Sequence, residues 1–245
     1  MSGHSHAKTI KHQKNITDQK RSQAFSKTAR LISVAVKEGG PSPETNPKLR
    51  MAIEAARSVN MPKDNIDRAI KKGTGEDVSA ENLEEVVFEA FGPGGIAIII
   101  EGITDNKNRT LGEVKKALTQ YGGKLTGEGA VKWMFEKKGC LVVDLESQID
   151  DLKNKEKLEL ISIEAGAQDL YWRNEVLDIY TEVEDLEKVK KNLEEKGVEI
   201  DSASSDWAPK EEIALEEKDR ESCQKLFEAL DELDSVQGVY SNLKL

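Results

Sequence analysis

CLVVDLESQIDDLKNKEKLELISIEAGAQDLYWRNEVLDIYTEVEDLEKVKKNLEEKGVEIDSA (140–203) decides the fold. Its apolar period switches repeatedly between two and 3.6 residues. The segment reads as strand (140–145), helix (153–165), strand (169–172), strand (176–182), helix (184–196) and strand (198–203). That βαββαβ order is the split-βαβ, ferredoxin-like unit, and it is complete in itself.

The flanks are incomplete by the same standard. Upstream, strands at 86–91 and 96–102 enclose Gly92-Pro93-Gly94-Gly95, a hairpin turn. A helix follows over 108–121, stopped by Gly122-Gly123, and 131–135 reads as a returning strand. One helix cannot cover a sheet face. Downstream, residues 211–241 read as strand (211–215), helix (217–232) and strand (236–241), which supplies what the upstream ββαβ unit lacks. Before both lies a helical region. A helix over 17–36 carries Phe25, Ala29, Ile32 and Val36 on one stripe. A second opens with Asn46 as N-cap and Pro47 at its first position. A third begins at Pro62 and stops at Gly73. The expected fold is therefore α+β in three domains: an N-terminal helical domain (1–80), a discontinuous α+β middle domain (81–136 and 209–245), and an inserted ferredoxin-like α+β domain (137–208).

Charge is divided along the chain. Residues 1–72 hold 15 Lys and Arg against six Asp and Glu, while the remaining 173 hold 21 against 40. A basic end on an acidic protein points to a polyanion partner at that end. The cations Lys8, Lys11, Lys14, Lys20, Arg21, Lys27 and Arg30 face a single acid, Asp18, within residues 1–30. Together with His12 they form the expected nucleic-acid-binding site, an arm followed by one helix face. In the third helix Asp64 stands four residues before Arg68, and Asp67 before Lys71. That spacing suggests ion pairs and a solvated face rather than a base-reading helix. A second anion or RNA contact is expected where 104–110 (TDNKNRT) joins a strand to a helix N-terminus, with Asn106, Asn108, Arg109 and Thr110 as candidates.

Other chemistry is thinly represented. His4, His6 and His12 are the only histidines, without nearby Cys or an acid cluster to complete a metal site. Gly92–Gly95 lacks the Gly-Lys-Ser/Thr ending of a phosphate loop. No nucleophile motif appears, so neither catalysis, a cofactor, a metal nor a small-molecule substrate is expected. Cys140 and Cys223 read as packed thiols. The longest apolar run, 96–100, is strand-sized, so no membrane association is expected. Residues 1–15 have no apolar core of a signal peptide. A cytoplasmic monomer is expected. Trp133, Phe135, Tyr171 and Trp172 fall on expected strands and are assigned mainly to core.

Many short segments resemble one family. They include GHS (3–5), IKH (10–12), Phe25-x-Lys27, NMPKDNI-x-RAI-x-KG (60–73), FGPGG (91–95), TDN-x-NRT (104–110), W-M-F (133–135), EAGAQD (164–169), W-x-P (207–209) and LDELDSVQGVYSN (230–242). Together they resemble the YebC/PmpR family over the full length. The resemblance implies a three-domain α+β protein usually described as a DNA-binding transcriptional regulator. It also implies kinship with the mitochondrial translational activator of cytochrome oxidase and with relatives that act on the ribosome. The sequence departs from the family at His6-Ala7, where Lys-Trp is common, at Phe91, where Tyr is common, and at Ala130, where Ser is common. A nucleic-acid-binding regulator of gene expression is thus the expected function, with DNA, or rRNA or tRNA in the ribosome, as partner. A protein-binding adaptor is the lesser alternative.

Overall fold

A computed structural model describes residues 18–75 and 82–244 of the chain. The helical region holds α1 (Asp18–Gly39), α2 (Pro47–Ser58) and α3 (Lys63–Gly73). Asn46 does the capping expected of it, accepting the Leu49 N–H at 3.1 Å with Pro47 behind it. Its amide also donates to the Ala35 and Gly40 carbonyls at 2.7 and 2.9 Å. One buried side chain thereby ends α1 and starts α2. The three helices close over Ile32, Leu49, Ile53, Ala56, Ile66 and Ala69.

The first sheet has strand order β3-β1-β2-β8. Strands β1 (Glu84–Phe91) and β2 (Ala97–Thr104) form an antiparallel hairpin in register from Glu84↔Thr104 to Phe91↔Ala97. Its turn needs glycine: Gly94 and Gly95 have φ of 66° and 79°, and a Cβ at Gly94 would lie 2.5 Å from Leu215. Helix α4 (Lys107–Gln120) leads to the two-residue strand β3 (Lys124–Leu125). Strand β8 (Val236–Ser241) joins from the end of the chain, antiparallel to β2 and with an irregularity between Glu101 and Gly102. Helix α4 and helix α7 (Glu217–Asp231) cover one face over Phe88, Ile98, Ile100, Leu118, Leu226 and Phe227.

The second sheet is built from β4 (Phe135–Asp144), β5 (Asp169–Arg173), β6 (Val176–Thr181) and β7 (Ser202–Pro209), in the order β5-β6-β4-β7 with every neighbour antiparallel. Helices α5 (Lys155–Ala165) and α6 (Leu186–Glu195) pack on one face over Leu141, Leu158, Leu177, Ile179 and Leu193. This is the ferredoxin-like arrangement. The α+β class and the discontinuous architecture agree with the sequence reading.

Three strand expectations fail, each for a local reason. The strand expected at 131–135 is instead a single 3₁₀ turn at Lys132–Met134, and β4 starts at Phe135 in the second sheet. The cause is Glu89. Its carboxylate is buried beneath the 126–134 loop and accepts the N–H groups of Gly129, Val131 and Lys132 at 2.6, 2.7 and 2.8 Å. With those donors committed, the segment cannot pair as a strand. The strand expected at 198–203 lies later, at Ser202–Pro209, paired with β4 from Val142↔Ser202 to Phe135↔Pro209. Its SASSD sequence hides the apolar alternation that marks a strand. The strand expected at 211–215 is reduced to a single parallel bridge, Ile213↔Leu243.

Burial of Glu89 favours the neutral acid, but the three backbone donors and the Lys132 charge outweigh it and hold its pKa below 4.5. The sign follows: a carboxylate with a depressed folded pKa contributes stability above its unfolded pKa, and loses it as pH falls through the folded value. Glu89→Gln should cost about 1–3 kcal/mol at neutral pH. The gap between wild type and variant should narrow as pH drops below about 4.5. Urea unfolding at a series of pH values measures it, and a pH-independent gap would contradict this account.

Candidate nucleic-acid interface

Of the expected site residues, Lys8, Lys11, His12 and Lys14 lie outside the described residues. The described part of the site begins on α1. Lys20 and Arg21 are exposed at its start, and neither forms an ion pair among the described residues. Arg30 is half-buried two and a half turns further on.

Lys27 corrects the reading of α1 as a row of free cations. Its ammonium lies 2.5 Å from the Asp231 carbonyl and 2.8 Å from the Asp231 carboxylate, with only 13% of the side chain exposed. Beside it, Gln23 donates to the carbonyls of Asp231 and Glu232 at 3.1 and 2.7 Å. Two α1 side chains therefore cap the C-terminus of α7. Its last carbonyls lack helical partners, and the helix dipole favours a cation there.

Other cations of the helical region are also engaged by partners within the molecule. Lys37 donates to Asn82 and to the Leu83 carbonyl at 2.7 and 3.2 Å. Arg50 pairs with Glu187 at 3.5 Å, and Lys48 lies between Glu38 at 2.6 Å and Glu85 at 3.8 Å. Glu54 reverses the pattern by pairing with Lys190 at 2.5 Å. Part of the charge asymmetry is thus consumed inside the molecule, joining a basic region to acidic neighbours.

Helix α3 departs from expectation in the opposite direction. The pairs Asp64–Arg68 and Asp67–Lys71 do not form. Arg68 reaches the Asn65 side chain at 2.8 Å and the Asp64 backbone carbonyl at 3.4 Å instead. Lys63, Arg68, Lys71 and Lys72 are exposed and without carboxylate partners among the described residues, as is Arg57 at the end of α2. The i,i+4 rule concealed them, because spacing permits a pair without requiring one.

The 104–110 loop is brought to α1. Burial favours the neutral acid at Asp105, but hydrogen bonds from its own backbone and from Arg109, with the charges of Arg109 and Arg30, together outweigh it and hold its pKa below the ordinary value. Arg109 is ion-paired to Asp105, and the Asn106 side-chain amide oxygen (Oδ1) caps α4 by accepting the Arg109 N–H at 3.1 Å. Asn108 is exposed. Thr110 is a correction: it is fully buried, and its hydroxyl donates to Thr104 at 2.9 Å, so it cannot meet a ligand. Beyond it, α4 exposes Lys115 and Lys116, which the sequence reading passed over.

Trp133 also departs from expectation. It is not core but 65% exposed, whereas Phe135 is buried and Tyr171 and Trp172 are half-buried. Cys140 and Cys223 are buried, and burial with the nearby Asp219 charge pushes the Cys223 thiol up to about 11. Among the described residues no cluster of His, Cys, Asp and Glu could hold a metal ion, and no helix is long and apolar enough to cross a membrane.

Comparison with known proteins places the chain. Residues 5–76 match the "TACO1/YebC protein N-terminal domain", and residues 83–243 match the "TACO1/YebC second and third domain". A protein of Thermoanaerobacter pseudethanolicus named "probable transcriptional regulatory protein" is 45% identical over 245 residues, covering 100% of this chain and 98% of its own. A like-named protein of Thermotoga maritima is 44% identical, covering 100% of this chain and 94% of its own. The crystal structure of a conserved hypothetical protein from Aquifex aeolicus superposes with a TM-score of 0.89 at 44% identity, over 96% of this chain and 95% of that one. The Thermoanaerobacter and Thermotoga relatives are named for transcriptional regulation.

The cap on α7 generates a test. Lys27→Ala removes both the carboxylate and the carbonyl contact, whereas Asp231→Ala leaves the carbonyl in place. The first should destabilise by about 1–3 kcal/mol and the second by less. A double-mutant cycle followed by denaturant unfolding should show positive coupling between the two. Equal costs with no coupling would contradict the cap.

Proposed function

We propose, from the premise that this chain belongs to the TACO1/YebC family, that it is a nucleic-acid-binding regulator of gene expression acting through its helical region. The observation that carries this reading is the sorting of cations in that region. Lys27, Lys37, Lys48 and Arg50 are engaged by partners within the molecule, while Lys20, Arg21, Arg57, Lys63, Arg68, Lys71 and Lys72 are exposed without carboxylate partners among the described residues. Exposed cations that no carboxylate neutralises are what a phosphate backbone fits.

Residues 1–80 act as the binding unit in this reading. The units 81–136 with 209–245, and 137–208, carry most of the acid and are repelled by the same polyanion, which orients the molecule. Asn108, Lys115 and Lys116 on α4, beside Arg30 of α1, offer a further contact, with Asn106 and Arg109 shaping the start of α4. The relatives are named for transcriptional regulation, which favours DNA as the partner, and action in the cytoplasm belongs to the same reading. A second reading, binding to RNA of the translation apparatus, gains support from Trp133, because an exposed aromatic ring suits an unpaired base better than a duplex.

Charge reversal of Lys20 with Arg21, and separately of Lys71 with Lys72, tests the reading. If about five phosphates are contacted, affinity should fall roughly 500-fold between 50 and 200 mM salt, a log–log slope near −4.5. Each paired reversal should weaken binding at least tenfold at fixed salt and flatten that slope by about two. Gel shifts with duplex DNA and structured RNA, beside cosedimentation with ribosomes at the same salt, distinguish the partners. Unchanged affinity in both variants would remove the helical region as the site.

A further inference from the structure

Trp133 is an anomaly that the fold does not explain. A tryptophan left 65% exposed forfeits most of the apolar burial that its type normally contributes. The other exposed large apolar side chains among the described residues, Val87, Ile149, Leu160, Ile163 and Val183, are all aliphatic.

The segment that presents Trp133 is nonetheless held firmly. Glu89 receives three of its N–H groups, and the Glu89 carbonyl accepts a fourth from Thr126 at 2.8 Å. Met134 closes the turn onto Val131 at 2.9 Å, and the Lys210 N–H is donated to the Met134 carbonyl at 2.9 Å. Val131 is buried in the core beneath, with Met134 packed against it. Trp133 points the other way. Its indole N–H is donated to the Ala130 carbonyl at 3.1 Å, which satisfies its polar edge and leaves the ring's apolar surface on offer.

We infer that Trp133 is a stacking platform for an unpaired nucleobase, on a loop whose geometry Glu89 fixes in advance. The inference rests on the nucleic-acid reading above and specifies a single-stranded stretch as the part of the ligand that this surface takes. The local charges agree with base stacking rather than with backbone contact. Lys132 and Lys210 are offset in sequence by Glu128 and Glu136, all four exposed, so the site lacks the surplus of cations that a phosphate track needs. The Lys132 ammonium also lies 5.3 Å from the Trp207 ring. A protein partner fits less well, because interface anchors sit within clusters of packed neighbours, and no second exposed aromatic accompanies Trp133 among the described residues. A single indole face is sufficient for a base, which stacks on any ring without regard to sequence.

The test uses the full chain with single-stranded RNA, single-stranded DNA and a duplex of matched length. Trp133→Ala should weaken binding to the single strands about tenfold or more and leave duplex affinity within about twofold. Trp133→Phe should restore most of the loss. Tryptophan fluorescence gives an independent readout: single strands should quench the wild type, and the quenching should be absent in Trp133→Phe, where only Trp172 and Trp207 remain. Equal quenching in wild type and Trp133→Phe, or single-strand affinity unchanged in Trp133→Ala, would overturn the inference. Should Trp133→Ala weaken only capture by a protein, the residue is a protein anchor and the inference also falls. The Lys20/Arg21 reversal keeps the two proposals apart. If that reversal abolishes binding while Trp133→Ala leaves single-strand affinity unchanged, only the stacking platform is lost. If the wild type binds no nucleic acid at low salt, the functional reading itself is lost.

Discussion

Strand β2 is buried on both faces. Ala97, Ile98, Ile99 and Ile100 have no exposed surface, and much of the molecule follows from satisfying that one strand. Its backbone must pair on both edges, since an open N–H or C=O at that depth would cost more than most single contacts contribute. One edge is supplied locally by β1 through the glycine turn. The other is supplied by β8, from the last residues of the chain. One face receives α4 and α7, and the other receives Val131, Phe135 and Tyr240. The intervening chain must therefore leave this sheet and come back, and it does so as a ferredoxin-like unit. Its first and last strands, β4 and β7, pair along eight residues at the point of departure.

A second polar anchor lies where the two sheets meet. Glu101, at the irregularity of β2, accepts from Lys137 at 2.5 Å, from the Trp207 indole at 2.8 Å and from the Tyr240 hydroxyl at 3.3 Å. Tyr240 remains protonated, because burial and the nearby carboxylates push its pKa well up, so it serves as donor. Lys137 also lies 4.6 Å from the Trp207 ring. The three donors come from β4, β7 and β8. A carboxylate in such a place would be costly alone, and its partners make it a specific join. Glu89 and Glu101 thus do comparable jobs on neighbouring strands, one fixing a loop and the other fixing the return of the chain.

Much of this was legible in the sequence, and what was not has a common cause. The helices were readable because their signals are local: Asn46 and Pro47 at the start of α2, Gly73 at the end of α3, and the apolar stripe of α1. The βαββαβ order was readable because alternating periods survive in 140–203. The failures at 131–135, Lys27, α3 and Thr110 involve partners that sequence spacing does not reveal. Glu89 is 40 residues or more from the amides it holds, and Lys27 is 204 residues from Asp231. Thr110 looked available because it opens a helix, yet the turn places its hydroxyl inward on Thr104. Strand β7 failed for another reason: SASSD carries no apolar alternation, and β4 supplies the pairing that defines it. Trp133 was assigned to a strand face for the same reason that 131–135 was assigned to a strand. The glycines and alanine of 127–130 were the available hint that the chain turns there.

Under the proposed function the charge asymmetry has two uses, and salt separates them. The contacts that join the helical region to its acidic neighbours are partly shielded from solvent, as at Lys27 and Lys190, each 13% exposed. Shielded pairs are screened weakly, whereas exposed cations facing a polyanion are screened fully and also lose the entropy of counterion release. Rising ionic strength therefore weakens the outward interaction long before it loosens the inward ones. A helical region that binds a polyanion as proposed would exchange that partner while remaining seated on α7, β2 and α6. A design that put all the cations outside would bind a polyanion more tightly, but nothing would fix the orientation of the binding surface relative to the rest of the chain. Lys27, Lys37 and Arg50 give up that extra affinity. In return, the direction in which Lys20, Arg21 and α3 present their charge is set by the fold.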